Sequence, residues 1–219
     1  MESTIEILQN HLPKALADTF LMVSISTVTG VLLGTVLGLL LFLTSNRLFI
    51  KLTVVHSIAG FIVNALRSLP FLILLVVLIP LLTVLLGDPY TPMGGAIALS
   101  IAAIPFYTRI AENAFTEIDH GVLEAAVASG AGTGLIIREV ILPESMPSLI
   151  RGVVLTIISL LGYSAMVGTI GAGGIGDLAI QYGYYRYETL ILVLIIVLLV
   201  ILVQLIQWAG DYLAKQFTK

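Results

Sequence analysis

The stretch "GTIGAGGIGD", residues 168–177, carries residue types and spacings that fit two site chemistries. Gly171, Gly173 and Gly176 satisfy the G-x-G-x-x-G spacing that seats a dinucleotide pyrophosphate at a helix N-terminus. Gly174 to Asp177 spell G-x-G-D, a pattern associated with aspartyl peptide cleavage inside membranes. Such a GxGD-type protease needs two nearby carboxylates that share a proton. The other acidic residues near apolar segments are Asp18, Asp88, Glu112, Glu188 and Asp211, all at segment ends, and none has a partner motif. His56 and His120 are single imidazoles without metal-ligand neighbours at useful spacing, so no metal site and no catalytic residue is expected.

What these residues can do depends on the elements that hold them. Hydrophobic residues make up 58% of the chain and charged ones 11%, with a mean hydropathy of +1.10. A soluble domain carries about 25% charged residues, so this chain lacks the charge to solvate a globular surface and reads as a membrane protein. Long apolar runs such as "LILVLIIVLLVILVQLI" (190–206) show no period-two alternation, which favours helices over a barrel. No cysteine is present, which excludes disulfides and thiolate metal sites. The N-terminus carries Glu2 and Glu6 and no basic stretch, unlike a cleaved signal peptide.

A crossing helix needs roughly 20 mostly apolar residues. Five segments qualify, near 19–43, 54–86, 94–114, 149–167 and 189–208. They predict an all-α membrane domain over 19–209, flanked by tails at 1–18 and 210–219. The second segment is expected as one long tilted helix, with a six-span arrangement turning near Pro70 as the alternative. Its first half places Thr53, His56, Ser57, Gly60, Asn64 and Arg67 at near-helical spacing, a polar stripe better suited to the bundle interior or an interface than to lipid. Arg67 reads either as an ion-pair or cap contact at the inner mouth of a pathway, or as a basic anchor.

Five spans put the termini on opposite sides. With the N-terminus outside, the inner basic residues are Arg47, Lys51, Arg67, Arg109, Arg138, Arg151, Lys215 and Lys219, against Lys14 and Arg186 outside. That bias predicts an external N-terminus and a cytoplasmic C-terminus. The long loop 115–148 then faces the cytoplasm and the glycine loop 168–188 faces outside. No strand precedes the glycines, so the βαβ context of a dinucleotide site is missing. They read instead as a tight chain reversal, with Gly173 and Gly174 forming part of an outer gate. Tyr182, Tyr184, Tyr185 and Tyr187 read as an outer aromatic belt. Gly30, Gly34 and Gly38 recur every four residues and predict a helix-packing stripe.

In the cytoplasmic loop, Asp119 is placed to cap a short helix made slim by Ala125, Ala126, Ala128 and Ser129 and ended by Gly130. Pro143 and Pro147 are expected to stop a second helical stretch and redirect the chain into the fourth span. Glu124-Ala125-Ala126, Gly130 and Val140-Ile141-Leu142-Pro143 resemble the E-A-A-x3-G-x9-I-x-L-P signature of bacterial ATP-binding-cassette importer permeases, with Val140 in place of isoleucine. Over almost the whole length the chain is similar to the methionine-importer permeases. The stretches "FIVNALRSLPFLILLVVLIP" (61–80), "PFYTRIAENAFTEI" (105–118), "LLGYSAMVGTIGAGGIGDLAIQYGYYRY" (160–187) and "LIQWAGD" (205–211) carry that likeness. Gly134-Leu135 departs from the polar residues common there.

The resemblance implies a type I five-span permease fold in the bacterial inner membrane, paired with a second copy of itself. It implies two ATPase subunits, an external substrate-binding lipoprotein and ATP-driven import of methionine, including D-methionine and derivatives. Glu124, Ala125, Ala126, Gly130, Leu142 and Pro143 would couple to the ATPase. ATP and magnesium would bind that partner, since this chain has no G-x-x-x-x-G-K-S/T loop and expects no cofactor of its own. Asn64, Arg67, Tyr163, Ser164 and Met166 are candidates for the translocation pathway, hydroxyls and a thioether suiting a mostly apolar amino acid. Gly162, Ser164, Ala165 and Gly168 equally suit close helix packing. A permease for another amino acid or small solute is the alternative. A proton-coupled transporter is disfavoured, because the spans lack buried carboxylates and no internal repeat is visible. No nucleic-acid partner is expected.

Overall fold

The computed structural model describes residues 4–217. Glu2 and Lys219, used in the charge arguments above, lie outside them. The described residues are helical and turn structure with no strand. Helix α1 runs from Thr4 to Ser45, α2 from Thr53 to Ser68, α3 from Phe71 to Leu86 and α4 from Pro92 to Thr116. Then come α5 (His120–Ala128), α6 (Thr133–Ile136), a π-helical turn at Ile137–Ile141 and α7 (Leu142–Gly168). Helix α8 (Ile175–Leu178), a second π-helical stretch at Ala179–Tyr185 and α9 (Thr189–Phe217) complete the described residues.

Helices α1 and α4 form the centre. Among Gly30, Gly34 and Gly38, the closest approach to backbone is at Gly38, where a Cβ would stand 2.7 Å from the Thr108 carbonyl oxygen and 2.9 Å from the Glu112 nitrogen. In lipid, helix association relies on such backbone proximity rather than on hydrophobic drive. The expected packing stripe is therefore present, and α4 is its partner. Tyr107 adds a polar tie, its hydroxyl donating to the Leu149 carbonyl of α7 at 3.1 Å.

Three apolar clusters stack along the bundle. Phe42, Phe115, Leu123, Ile136, Ile141 and Leu149 close the end that carries α5. Met22, Leu75, Leu99 and Leu160 fill the middle. Ile7, Ile175, Leu178, Tyr182 and Ile191 close the opposite end, beside the glycine loop. Helix α9 is apolar on nearly all sides and mostly exposed, as expected of a helix facing lipid or a second chain.

Among the described residues, four helical stretches are long and apolar enough to cross a membrane: Thr4–Ser45, Pro92–Thr116, Thr133–Gly168 and Thr189–Phe217. The remaining segment corrects the single long helix expected over 54–86. It is two helices, α2 and α3, bent by 101°. Proline at 70 disfavours the α conformation at Leu69, which sits at φ −76° and ψ 127°, and Pro70 itself is extended at φ −56° and ψ 130°. Counting the bent pair as one broken span makes five.

Two further expectations change. Residues 4–18 are not a separate tail but the first turns of α1, a helix of 42 residues and therefore about 63 Å long. Pro143 and Pro147 do not redirect the chain, for the helical path runs on from Thr133 to Gly168. Pro143 lies in the first turn of α7, directly after the π turn, and Pro147 is carried inside that helix.

Candidate coupling loop, glycine turn and pathway face

Helix α5 is built by its ends. The Asp119 side chain accepts from the Gly121 and Val122 backbone nitrogens at 2.8 and 3.3 Å, the cap expected from its position. Its last turn leads into Gly130, which has a φ of +77° and no atom near an added Cβ. Leu123 alone is buried, anchoring α5 beneath Phe115 and Phe42. Glu124 and Ala125 are exposed and Ala126 half-buried, so the helix offers a slim outer face, with Glu124 paired to His120 at 3.1 Å. Leu142 is half-buried and Pro143 exposed at the far side of the π turn. The signature residues thus share one end of the bundle.

Gly130→Val is expected to leave insertion unchanged while lowering uptake and co-purification of an ATPase partner. A β-branched residue at positive φ costs about 1–2 kcal/mol, a roughly five- to thirty-fold loss of the docking-ready loop. Pull-down yield and uptake, compared with Gly130→Ala, check this. Yields equal to the parent chain count against a docking role.

At the opposite end, Gly173 and Gly174 have φ values of +85° and +91°. They turn the chain back against α1, where the Thr19 hydroxyl accepts from the Ile175 nitrogen at 2.8 Å. That bond uses a helix-start N–H that a phosphate would need, and α8 is only four residues long. A Cβ on Gly173 would stand 2.9 Å from an Asp18 oxygen. Asp18 and Asp177 line one cavity of about 290 Å³ together with His11, Lys14, Gln181 and Tyr182. The carboxylate of Asp177 accepts from Gln181 at 2.8 Å, and His11 and Tyr182 bond at 2.9 Å. Arg186 lies over the Tyr182 ring at 4.3 Å.

The pathway candidates separate by face. Gly162 and Met166 are exposed one turn apart on α7. Tyr163 is half-buried and stacks on Phe71 of α3, with ring centroids 4.9 Å apart and planes 13° apart. Ser164 is buried on the other side of α7 and donates to its own helix at the Leu161 carbonyl, 2.8 Å away. Ser164→Ala is accordingly expected to shift stability by only about 1 kcal/mol and to leave the uptake KM unchanged. An altered KM would put that hydroxyl on the pathway.

Asn64 and Arg67 also differ. Arg67 is exposed, with no ion pair among the described residues. The Asn64 carboxamide oxygen accepts from Arg109 Nε at 3.1 Å. Arg109 was counted above only as an inner basic residue, yet its guanidinium also pairs with Glu112 and donates to the Gly60 carbonyl at 2.9 Å. Glu112 is buried within α4, which corrects the expectation that the spans hold no buried carboxylate, and its i,i+3 spacing from Arg109 is the signal that marks the pair. Among the described residues, no group of His, Cys, Asp and Glu is arranged to hold a metal.

Residues 30–219 match the family of binding-protein-dependent transport system inner membrane components. The chain belongs to this family. The transport component is 40% identical over 199 residues to the probable D-methionine transport system permease protein MetI of Vibrio cholerae, covering 91% of this chain and 88% of that one. It is 40% identical over 180 residues to the methionine import system permease protein MetP of Bacillus subtilis, covering 82% and 81%. A structure of the MetNI methionine ABC transporter in an inward-facing conformation matches with a TM-score of 0.95 at 38% identity, covering 100% of both chains. An amino acid ABC transporter solved with histidines shares the fold, with a TM-score of 0.79 at 19% identity. This transport component is a multi-pass inner-membrane permease and not itself an enzyme, so neither the dinucleotide nor the protease chemistry of residues 168–177 applies.

Proposed function

We propose that this permease forms the translocation pathway of an ATP-driven importer for methionine, D-methionine and derivatives included. The likeness to a methionine ABC transporter over 100% of both chains carries the proposal. Two copies would pair, each presenting one α5 to one of two ATPase subunits, which bind ATP and magnesium. Glu124, Ala125, Ala126, Gly130, Leu142 and Pro143 would meet that partner. An external lipoprotein would deliver methionine at the glycine-loop end, where Gly173 and Gly174 form part of a gate.

The helix arrangement favours the corresponding orientation. Arg47, Lys51, Arg138, Arg151 and Lys215 belong to the helix ends around α5, whereas Lys14 and Arg186 belong to the end with the glycine loop. The positive-inside rule then puts α5 and the C-terminus in the cytoplasm. The open face of α7, with Gly162, Met166 and the Tyr163–Phe71 stack, would line the pathway between the copies. A thioether and stacked rings offer a polarizable surface to the methionine side chain without binding it tightly.

Labelled methionine uptake by vesicles tests the reading, with and without the ATPase and binding protein. Uptake is expected only with ATP and both partners. Uptake that persists on an ion gradient without an ATPase overturns it.

A further inference from the structure

We infer that Arg109 is a positioning residue that makes α2 move with α4, and so carries motion from α5 to the pathway face. The inference rests on the importer reading for its direction of use and on geometry for its substance. Helix α2 has 16 residues, and only Gly60 among them is buried. What covers Gly60 is Arg109, whose terminal nitrogen would stand 3.1 Å from an added Cβ. From α4, the guanidinium reaches the Gly60 carbonyl at 2.9 Å and the Asn64 side chain at 3.1 Å. Its remaining nitrogen is held by Glu112, which is buried on the same helix. Elsewhere α2 is tied by the His56 ring to the Leu41 carbonyl of α1 at 3.2 Å. An otherwise exposed helix is thus fastened to α4 by one forked side chain, whose planar donors suit two acceptors at once.

The connections on either side give that fastening a use. Helix α4 leads through Glu117 into the Asp119-capped α5, and Phe115 of α4 packs with Leu123 of α5. On the other side, α2 ends at the bend before Pro70, and the next residue, Phe71, stacks on Tyr163. A displacement of α5 passed to α4 therefore reaches the Phe71–Tyr163 stack through Arg109.

The absence of cysteine in this chain lets one introduced thiol be labelled before it is assembled with its partners. A single Ile62→Cys on the exposed face of α2 carries an environment-sensitive dye. The dye signal is expected to shift when ATP and vanadate are added, and Arg109→Gln is expected to abolish that shift while ATP hydrolysis continues. Uptake per ATP hydrolysed should fall by about five-fold or more. Arg109→Lys, which keeps the charge but not the fork, should restore part of both. If Arg109→Gln fails to insert, Asn64→Ala and Glu112→Gln are read in the same way and should weaken both signals. A dye shift and coupling ratio equal to the parent chain in the inserted variants overturn the inference, as does a parent chain with no ATP-driven shift. The dye readout needs no transported solute, so a wrong substrate assignment leaves it standing while the uptake assay fails.

Discussion

Gly176→Ala is expected to abolish uptake and to lower the stability of the detergent-solubilised protein by about 3 kcal/mol, the upper part of the usual cost of overpacking. An added Cβ would fall on the Ala165 backbone, with its α-carbon, carbonyl carbon and oxygen as the nearest atoms. Backbone cannot rotate aside as a side chain does. Gly168 faces the same constraint from the backbone of Gly176 and Asp177. The glycine turn therefore sits with α8 directly on the end of α7, and any side chain at that contact lifts it off. Thermal unfolding followed by Trp208 fluorescence, alongside vesicle uptake, checks this. Gly134→Ala serves as the comparison, since an added Cβ there meets nothing within 4 Å. Its effect should stay within about 0.5 kcal/mol. Equal stability of the two variants would refute the contact.

The second large effect is expected from Gly162→Leu. The position is exposed, and an added Cβ there meets no atom within 4 Å in one protomer. Leucine in a spanning helix favours insertion by roughly 0.3–0.6 kcal/mol, so the variant should reach the membrane and assemble normally. A branched side chain one turn from Met166 and next to Tyr163 would fill the space a methionine side chain needs. Uptake should drop about ten-fold or more, equivalent to roughly 1.4 kcal/mol on the limiting step. Unchanged uptake with normal assembly would show that this face of α7 meets lipid.

Some of this arrangement is visible in residues alone, and some is not. The stripe Gly30, Gly34 and Gly38 announces a close helix contact because three glycines on one face have no other use in lipid. It cannot announce the partner, and α4 emerges only from the fold. Asp119 and Gly130 mark the ends of α5 because caps and positive-φ positions are local requirements. The pathway residues are harder. Tyr163 and Ser164 are neighbours in the chain but about 100° apart around a helix, so one joins Phe71 and the other turns inward. In a soluble helix an apolar stripe would separate those faces, but membrane helices are apolar on both.

Arg67 and Arg109 show the same limit. Each is an arginine within a largely apolar stretch, and composition treats them alike. Only the packing of α2 on α4 gives Arg109 the Gly60 and Asn64 acceptors, while Arg67 has no ion pair among the described residues. A proline can bend a helix or be carried within it, and spacing alone does not tell which. At Pro70 the chain has room to bend and does so by 101°. At Pro143 and Pro147 the helical path continues, with a π turn just before Pro143.

The bond between Thr19 and Ile175 joins residues 156 positions apart. During synthesis, the groups that cover the first turns of α1 therefore leave the ribosome late. Ala15 and Ile7 wait for Ile175, Leu178, Tyr182 and Ile191. The glycine contact between α1 and α4 can close far earlier, once residue 116 has emerged. Maturation then zips from the α5 end toward the glycine loop, and a chain stalled before residue 175 would hold a paired but unlatched first helix.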